Sequence, residues 1–417
     1  MKDLSYLAEL KLRGSYGISG NNRVSDFAYL SPVSLSNTAT SYAFGNAYTN
    51  GAVQPTLGNR GLKWETTATT DIGLDLGLIQ NRVQVVVDYY KKVTSNLLLQ
   101  ATTAGHIGYT SAIQNIGSVS NSGWEFTVNT INVTNKNFNW NSNFNISFNR
   151  NKLLALSSGQ QSLVSQVSYD ISPVFPYIAQ VGGPIAQIIG YKWLGNYQYS
   201  DFDQLPNGTY VLKGNVPANG TTRTTIRPGD IKYADINGDG TINDADKVVI
   251  GNPNPLFTGG FSNNFTYKGF DLNVLLSFSY GNDILNANRI TFEGSQSIYL
   301  NQFATFLNRW TPENQTNLLP RAGGTIITAV SSRVIEDGSF LRLKTVALGY
   351  KLPPGLLQKI NMKSARIYCS AQNLAVWSKY QGSDPEVSIY PGALTQGFDF
   401  AAYPRSFTLV FGLNFTF

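Results

Sequence analysis

The feature that most constrains this chain is a two-residue hydrophobic period that recurs along its length. In SFTLVFGLNFTF, residues 406–417, Phe407, Leu409, Phe411, Leu413, Phe415 and Phe417 share one parity. Thr408, Val410, Gly412, Asn414 and Thr416 share the other. Successive side chains of an extended chain point to opposite sides, so this segment is a ribbon with one apolar face. FDLNVLLSFSY sets Phe270, Leu272, Val274, Leu276, Phe278 and Tyr280 against Asp271, Asn273, Ser277 and Ser279. NFNWNSNFNISFNRN sets Phe138, Trp140, Phe144, Ile146 and Phe148 against asparagines at 137, 139, 141, 143, 145 and 149. Asparagine is a poor strand former, so its place at every second position means that this face meets water. KLRGSYGIS, TTDIGLDLGL and FTGGFSNNFTY repeat the pattern, and VQVVVDYY, GWEFTVNT, SFLRLKTVALGYKL and SARIYCSAQNLAV follow it less regularly.

About ten such segments are present, most of roughly 9–14 residues, the length a tilted strand needs to cross a bilayer. Their connections alternate in length. The chain turns within a few residues near 79–82, 132–137 and 268–269, whereas roughly 19–61, 94–116, 152–256, 283–337 and 375–403 are long and rich in Gly, Asn, Ser, Pro and Tyr. A compact water-soluble domain seldom carries connections this long. Outer-membrane barrels carry them as a rule, with short periplasmic turns and long extracellular loops. Composition agrees: charged residues are 13% of the chain and aromatics 12%, where a soluble domain carries about 25% charge. The competing reading, a soluble β-sandwich or β-helix, alternates too, but its strands run nearer five or six residues. The expected fold is therefore all-β, an antiparallel transmembrane β-barrel wall whose apolar face meets lipid.

Other classes fall away on simple grounds. No stretch approaches the roughly 18 uncharged apolar residues of a spanning helix. The net charge of +6 is dispersed without a basic run, so nucleic acid is not an expected partner. A single cysteine, Cys369, forbids an internal disulfide. The opening MKDLSYLAELKLRGSYG has no apolar core or cleavage site of a secretory signal, which conflicts with an exported wall.

Several strings then resemble one family in order: LKLRGSYGISGN, LKWETTATTDIGLDLGL, NIGSVSNSGWEF, RPGDIKYADINGDGTINDADKVVIGNPNPLFTGGFSNNFTYKGFDL, LNRWTPENQTN, DGSFLRLKTVALGYKLP, YCSAQNLAVWSKYQGSDPE and FGLNFTF. The chain resembles the C-terminal barrel portion of SusC/RagA-type TonB-linked outer membrane proteins, essentially over residues 1–417. The resemblance implies a barrel of about 22 strands, of which this piece supplies about the last 10–11. It also implies a signal peptide, TonB box and plug domain upstream, which are absent here and would reconcile the missing export signal. Import of nutrients, oligosaccharides or peptides, with a SusD-like surface lipoprotein and the TonB complex is what the family leads one to expect.

The sharpest local motif is DINGDGTINDAD, residues 235–246, inside the long 152–256 connection. Read as a twelve-residue calcium loop, it puts Asp235 at position 1, Asn237 at 3, Asp239 at 5, Gly240 at the turn position 6, Thr241 at 7, Asn243 at 9 and Asp246 at 12. Ca²⁺ wants six to eight oxygens, which alternate residues of a turn can supply. The same letters also suit a turn-rich surface loop with solvated carboxylates. Loop aromatics Tyr29, Tyr42, Tyr48, Trp193, Tyr197, Tyr199, Tyr210 and Tyr299 could stack on sugar faces, although such loops are aromatic-rich in any case.

Catalysis has little to rest on. His106 is the only histidine, with no nucleophile elbow around it. Asp384 and Glu386 in GSDPE read as an ordered turn rather than a glycosidase pair. RWTPE, after the helical turn NQFATFLN, reads as structural. Three functions follow: a non-enzymatic transporter wall, with Lys11, Arg13, Asp71, Asp75, Asn139, Asn141, Asp271 and Asn273 facing a hydrated lumen; a barrel hydrolase, which a single His106 disfavours; and a calcium-dependent surface binding protein or adhesin, which rests on residues 235–246 alone.

Overall fold

A computed structural model describes residues 6–22, 26–35, 41–54, 57–102, 111–156, 159–169, 172–294, 299–324, 329–359 and 362–417. Ten strands form one antiparallel sheet in sequence order. They are β1 (Leu7–Asn21), β2 (Glu65–Leu78), β3 (Val83–Ser95), β4 (Ser118–Thr134), β5 (Phe138–Ala155), β6 (Phe257–Tyr267), β7 (Phe270–Tyr280), β8 (Phe340–Lys351), β9 (Ser364–Ser378) and β10 (Thr408–Thr416). The chain clusters into two compact units, Met1–Phe126 with Phe148–Leu163 and Gln180–Pro184, and Thr127–Ser147 with Val164–Ala179 and Ile185–Phe417. β4 and β5 contribute to both.

Register turns the alternation into rows. In the first unit Leu12 pairs with Leu74 and Leu74 with Val87, beside Leu10, Leu76 and Val85. In the second, one apolar row crosses six strands: Trp140, Phe265, Leu272, Leu348, Cys369 and Phe411. The neighbouring row on the opposite face is Asn139, Thr266, Asp271, Gly349, Tyr368 and Gly412. The apolar face is not covered by protein: Leu12 is 78% exposed, Phe411 75% and Phe417 73%. Contiguous apolar rows of this kind meet lipid, not water. Rings brace the second unit's apolar face at 5.6 Å for Trp140 and Phe265 and at 4.5 Å for Phe270 and Tyr350. A polar inclusion on it satisfies itself. Asn263 Oδ1 accepts from Trp140 Nε1 at 2.9 Å and from Ser142 Oγ at 2.6 Å, and Asn132 Nδ2 donates to Ser142 at 2.7 Å.

The turns explain the connection lengths. Lys268 and Gly269 form a two-residue loop with φ of 44° and 94°, the doubly positive backbone whose twist matches a right-handed hairpin. Ile79, Gln80 and Asn81 also take positive φ, and Asn135 Oδ1 caps the 135–137 turn by accepting from Phe138 N at 2.8 Å. A fourth connection, 352–363, is longer and carries the helix Pro354–Lys359. Within each unit these follow even-numbered strands, and the long connections follow odd-numbered ones.

Most strands span 9–14 residues as expected, and the longest, β5, reaches 18, because it continues past the apolar stretch into Asn149, Arg150, Asn151 and Lys152. One expectation needs correction: the long connections are not bare loops. Tyr177, Ile188, Leu285, Val334 and Phe398 form a buried core, and Tyr197, Phe202, Leu212 and Ile226 form another. Asp283–Asn286 pairs with Ile335–Asp337 and, in parallel, with Phe398–Asp399. The irregular SFLRLKTVALGYKL has a physical cause: Lys344 is an extra residue opposite Leu275 and Leu276, a bulge that moves the apolar set from Leu341 and Leu343 to Val346, Leu348 and Tyr350.

On the polar face two arginines reach across a strand over a glycine. Arg13 on β1 bonds Asp75 on β2 at 2.8 Å and Asp88 on β3 at 2.8 Å, lying over Gly73. Arg366 on β9 bonds Asp271 on β7 at 2.5 Å, lying over Gly349 of β8. A Cβ at Gly349 would collide with Arg366 Nη2 and stand 2.6 Å from its Nε, whereas one at Gly14 would meet nothing within 4 Å. Gly349→Ala is expected to cost about 1–3 kcal/mol and Gly14→Ala under about 0.5 kcal/mol. Urea titration of the protein in detergent, followed by tryptophan fluorescence, checks this; equal midpoints for both variants would refute the close-packed bridge.

Candidate functional site

Within each unit the lumen candidates lie on one face, where several hold polar partners. Lys11 Nζ stands 3.8 Å from Asp75, Asn139 Nδ2 donates to Thr266 Oγ1 at 3.2 Å, and Asn273 Nδ2 donates to Asn264 Oδ1 at 2.7 Å. By register Asp71 shares the face of Arg13 and Asp75 in the first unit, and Asn141 that of Asn139 in the second. Asp88 and Arg366 complete the bridges and were missed by sequence, because only register brings them to Arg13 and Asp271.

GSDPE is an anchor. Arg342, 3% exposed on β8, donates from Nη2 to Asp384 Oδ1 at 2.6 Å. Its Nε lies 2.6 Å from Glu386 Oε2, an ion-pair contact without hydrogen-bond alignment. Arg405 closes the set at 4.0 Å from Asp384 and 3.6 Å from Glu386. Both carboxylates are held by guanidinium groups, which fits the ordered-turn reading. His106 lies outside the described residues. RWTPE is structural as expected: Trp310 is buried and donates from Nε1 to Gln198 Oε1 at 3.0 Å.

Above the mini-sheet of residues 283–286, 335–337 and 398–399 lies a cavity of about 500 Å³. Asn286, Arg289, Phe292, Glu293, Phe303 and Asp399 are among its lining residues. Glu293, 2% exposed, accepts from Arg289 Nε and Arg333 Nη1, each at 2.9 Å, and from Thr305 Oγ1 at 2.7 Å. Burial lowers the Arg333 pKa against the opposing pull of Glu293. Glu336 accepts from Arg289 Nη1 at 3.1 Å and from the Gln381 backbone at 2.8 Å. Tyr380 donates to Asp399 Oδ2 at 2.5 Å, and burial with that bond raises its pKa. Sequence offered no signal for this cluster, since its members come from two connections, 281–339 and 379–407, far apart in the chain.

The aromatic candidates divide. Tyr197 is fully buried, with its hydroxyl donating to Pro217 O at 2.6 Å, so it is core and not a ligand platform. Tyr199 packs on Tyr210 and Trp310, and Trp193 donates to Gly195 O at 2.9 Å. Tyr29, Tyr42, Tyr48 and Tyr299 are exposed.

The 235–246 loop is wound by its own side chains. Asp235 accepts from Gly238 N and Gly240 N, each at 2.7 Å, and Asp239 Oδ1 accepts from Thr241 N at 2.8 Å. Asn237 Nδ2 donates to Asp239 Oδ2 at 2.9 Å, and Asn243 Oδ1 accepts from Ala245 N at 2.9 Å. Asp246 is buried and accepts from Ile236 N at 2.9 Å and Asn243 N at 2.8 Å. Burial raises the Asp246 pKa, but these backbone donors outweigh it and hold the carboxyl below its ordinary value. The loop's carboxylate and amide oxygens are hard donors of the kind Ca²⁺ takes. Among the described residues, however, no three Asp, Glu, His or Cys side chains gather closely enough to hold a metal by themselves. Asn237, Thr241 and Asn243 would have to supply the remaining oxygens.

An antiparallel wall with one lipid-facing and one polar face defines the class as an outer-membrane β-barrel. A family model described as TonB dependent receptor-like, beta-barrel matches residues 3–243. TonB-dependent receptor P3 of Formosa agariphila is 35% identical over 424 residues, covering all of this chain and 40% of that one. TonB-dependent receptor SusC of Bacteroides thetaiotaomicron is 30% identical over 427 residues, again covering all of this chain and 38% of its own length. The structure of the RagAB peptide transporter superposes with a TM-score of 0.77 at 25% identity, over 99% of this chain and 41% of that one. The chain belongs to the TonB-dependent receptor family and is barrel wall of the bacterial outer membrane. It spans about 40% of the length of these curated relatives.

Removing one partner of a buried ion pair strands the other charge. Arg342→Ala is therefore expected to cost about 3–5 kcal/mol, and Arg405→Ala, at the exposed edge of the same set, under about 1 kcal/mol. Chemical denaturation of the two variants in detergent checks the order, and a reversed ranking would remove Arg342 as the anchor.

Proposed function

We propose that this chain is part of a TonB-dependent importer that carries oligosaccharides or peptides across the outer membrane. The observation that carries the reading is the two-faced wall: exposed apolar rows on one side, and on the other a hydrated face cross-linked by Arg13, Asp75, Asp88, Asp271 and Arg366. Kinship to a receptor named SusC and likeness to a structure titled a peptide transporter support import and the substrate classes. A SusD-like surface lipoprotein and the TonB complex, reached through other parts of a full-length receptor, are the proposed partners. The wall is not itself an enzyme in this reading. Outer-membrane vesicles or cells carrying the receptor should accumulate labelled peptide or oligosaccharide only when TonB is present. Uptake that is equal with and without TonB would refute it.

The 235–246 loop is proposed to take Ca²⁺ and to brace the 156–256 connection, with Asp235, Asn237, Asp239, Thr241, Asn243 and Asp246 as ligands. A calcium-dependent surface binder without transport is the alternative it would favour. Added CaCl₂ is expected to raise the melting temperature of the wild type and to leave Asp235→Ala/Asp239→Ala unmoved. Should the shift persist in the double variant, this loop is not the cation site.

A further inference from the structure

In the first unit the two faces of the wall differ in the charges they carry. The acidic residues of its strands, Glu9, Glu65, Asp71, Asp75, Asp88 and Glu125, all stand on the polar parity, beside Lys11, Arg13 and Lys92. Three charged residues stand on the apolar parity, Lys91, Arg150 and Lys152, and all three are cations. Lys91 pairs with Thr70, one step along from the pair of Tyr89 and Ile72. On the polar face Tyr90 donates to Asn149 Oδ1 at 2.9 Å, and Asn149 and Asn151 both donate to Asn121 Oδ1, at 3.2 and 2.9 Å. Arg150, between those two asparagines, therefore leaves on the other face, and Lys152 keeps its parity. In the second unit, among the described residues, the apolar rows carry no charge outside the bulge at Lys344.

The level of the three cations is set by the turns. β3 and β5 run away from the short turns at 79–82 and 135–137, so these residues stand at the ends that meet the long connections. In an outer-membrane barrel those ends face the cell exterior. An aromatic belt lies just below: Tyr89 packs on Trp124 at 5.0 Å, Trp124 on Phe126 at 6.2 Å, and Phe126 against Phe148 at 6.2 Å. Such belts mark the level at which hydrocarbon gives way to headgroups. Lys91 follows Tyr89 by two residues and Arg150 follows Phe148 by two, which sets each cation about 7 Å further along its strand. Only β4 separates β3 from β5, a gap of about 10 Å. All three side chains are exposed, and Arg150 Nη1 rests on Asn149 O at 2.9 Å. Among the described residues neither Lys91 nor Lys152 forms an ion pair. A single cation here would need only to reach water. Three within two strand spacings, with no acid on that face, attract an anion, and phosphate suits guanidinium and ammonium donors together.

We propose that Lys91, Arg150 and Lys152 form a site for the phosphate-bearing headgroup of a glycolipid in the outer leaflet, whose acyl chains lie along the apolar rows below. A lipid, not a soluble phosphate, is the occupant because the site continues the surface that already meets lipid. The site is independent of what the receptor imports.

The test is native mass spectrometry of the full-length receptor in neutral detergent, titrated with phosphorylated lipid A and with the same lipid after removal of its phosphates. The phosphorylated form is expected to bind about tenfold tighter. Lys91→Gln/Arg150→Gln/Lys152→Gln should bring the two lipids within about twofold of each other. Lys92→Gln, one residue along β3 but on the polar face, should keep the preference. Inorganic phosphate in large excess should not displace the lipid. Equal binding of the two lipids by the wild type overturns the proposal, as does a phosphate preference that survives in the triple variant or is lost as fully in Lys92→Gln. Displacement by inorganic phosphate overturns the glycolipid as the occupant. If the triple variant does not fold, the two lipids and the phosphate competition on the wild type decide alone.

Discussion

The structure depends on one constraint: in hydrocarbon, every backbone N–H and C=O must find its partner within the protein. An antiparallel ladder meets that demand and in doing so fixes side chains to alternate faces. The long rows from Trp140 to Phe411 and from Asn139 to Gly412 are the two consequences of the same hydrogen bonds. A one-residue slip would carry every phenylalanine of a strand into the wet side, so register here is set by the solvent on both faces. The bulge at Lys344 shows the rule by its handling. An extra residue flips parity, and the sequence flips its apolar set with it. β1 and β10 each pair on one side only among the described residues. Within a bilayer such edges must be matched by further strands.

The polar face solves a different problem. With charged residues at 13%, the wall places several of them where they bridge strands. The two arginine bridges share a design that no local pattern reveals: arginine on one strand, glycine on the next, carboxylate on the third. Glycine is required there by the flat guanidinium above it, not by backbone conformation. Gly412 follows a related logic, since a Cβ there would collide with the ring of Tyr368, its cross-strand neighbour.

Sequence therefore reveals the wall well and its partners poorly. Alternation depends on the chain's own neighbours, and the Lys-Gly turn depends on two φ values, so both can be read residue by residue. Strand ends cannot, because β5 continues through residues 149–152 after the apolar signal stops. Asp88 and Arg366 are invisible without register. Tyr197 looked like a surface aromatic because nothing local says that Phe202, Leu212 and Ile226 enclose it. The 235–246 loop is legible as a winding of Asx-type turns, while convergence of its oxygens on an ion is a question of tertiary geometry that the letters do not answer.

The long connections then carry what varies. A barrel wall is held to one solution by lipid on one side and water on the other, but the connections are free of that restriction and build ordinary buried cores of their own. Arg342 links the two regimes: it sits on a wall strand, and its counter-ions come from the 379–407 connection. That connection also supplies Tyr380, Gln381 and Asp399. The buried guanidinium holds the connection by two carboxylates just ahead of the segment that returns to the mini-sheet. The position of Asp399 is thereby tied to the wall at Arg342 and to Leu285 and Asn286 at the sheet. A carboxylate fixed from two sides cannot swing out to find water, so both of its oxygens stay enclosed by the folded chain.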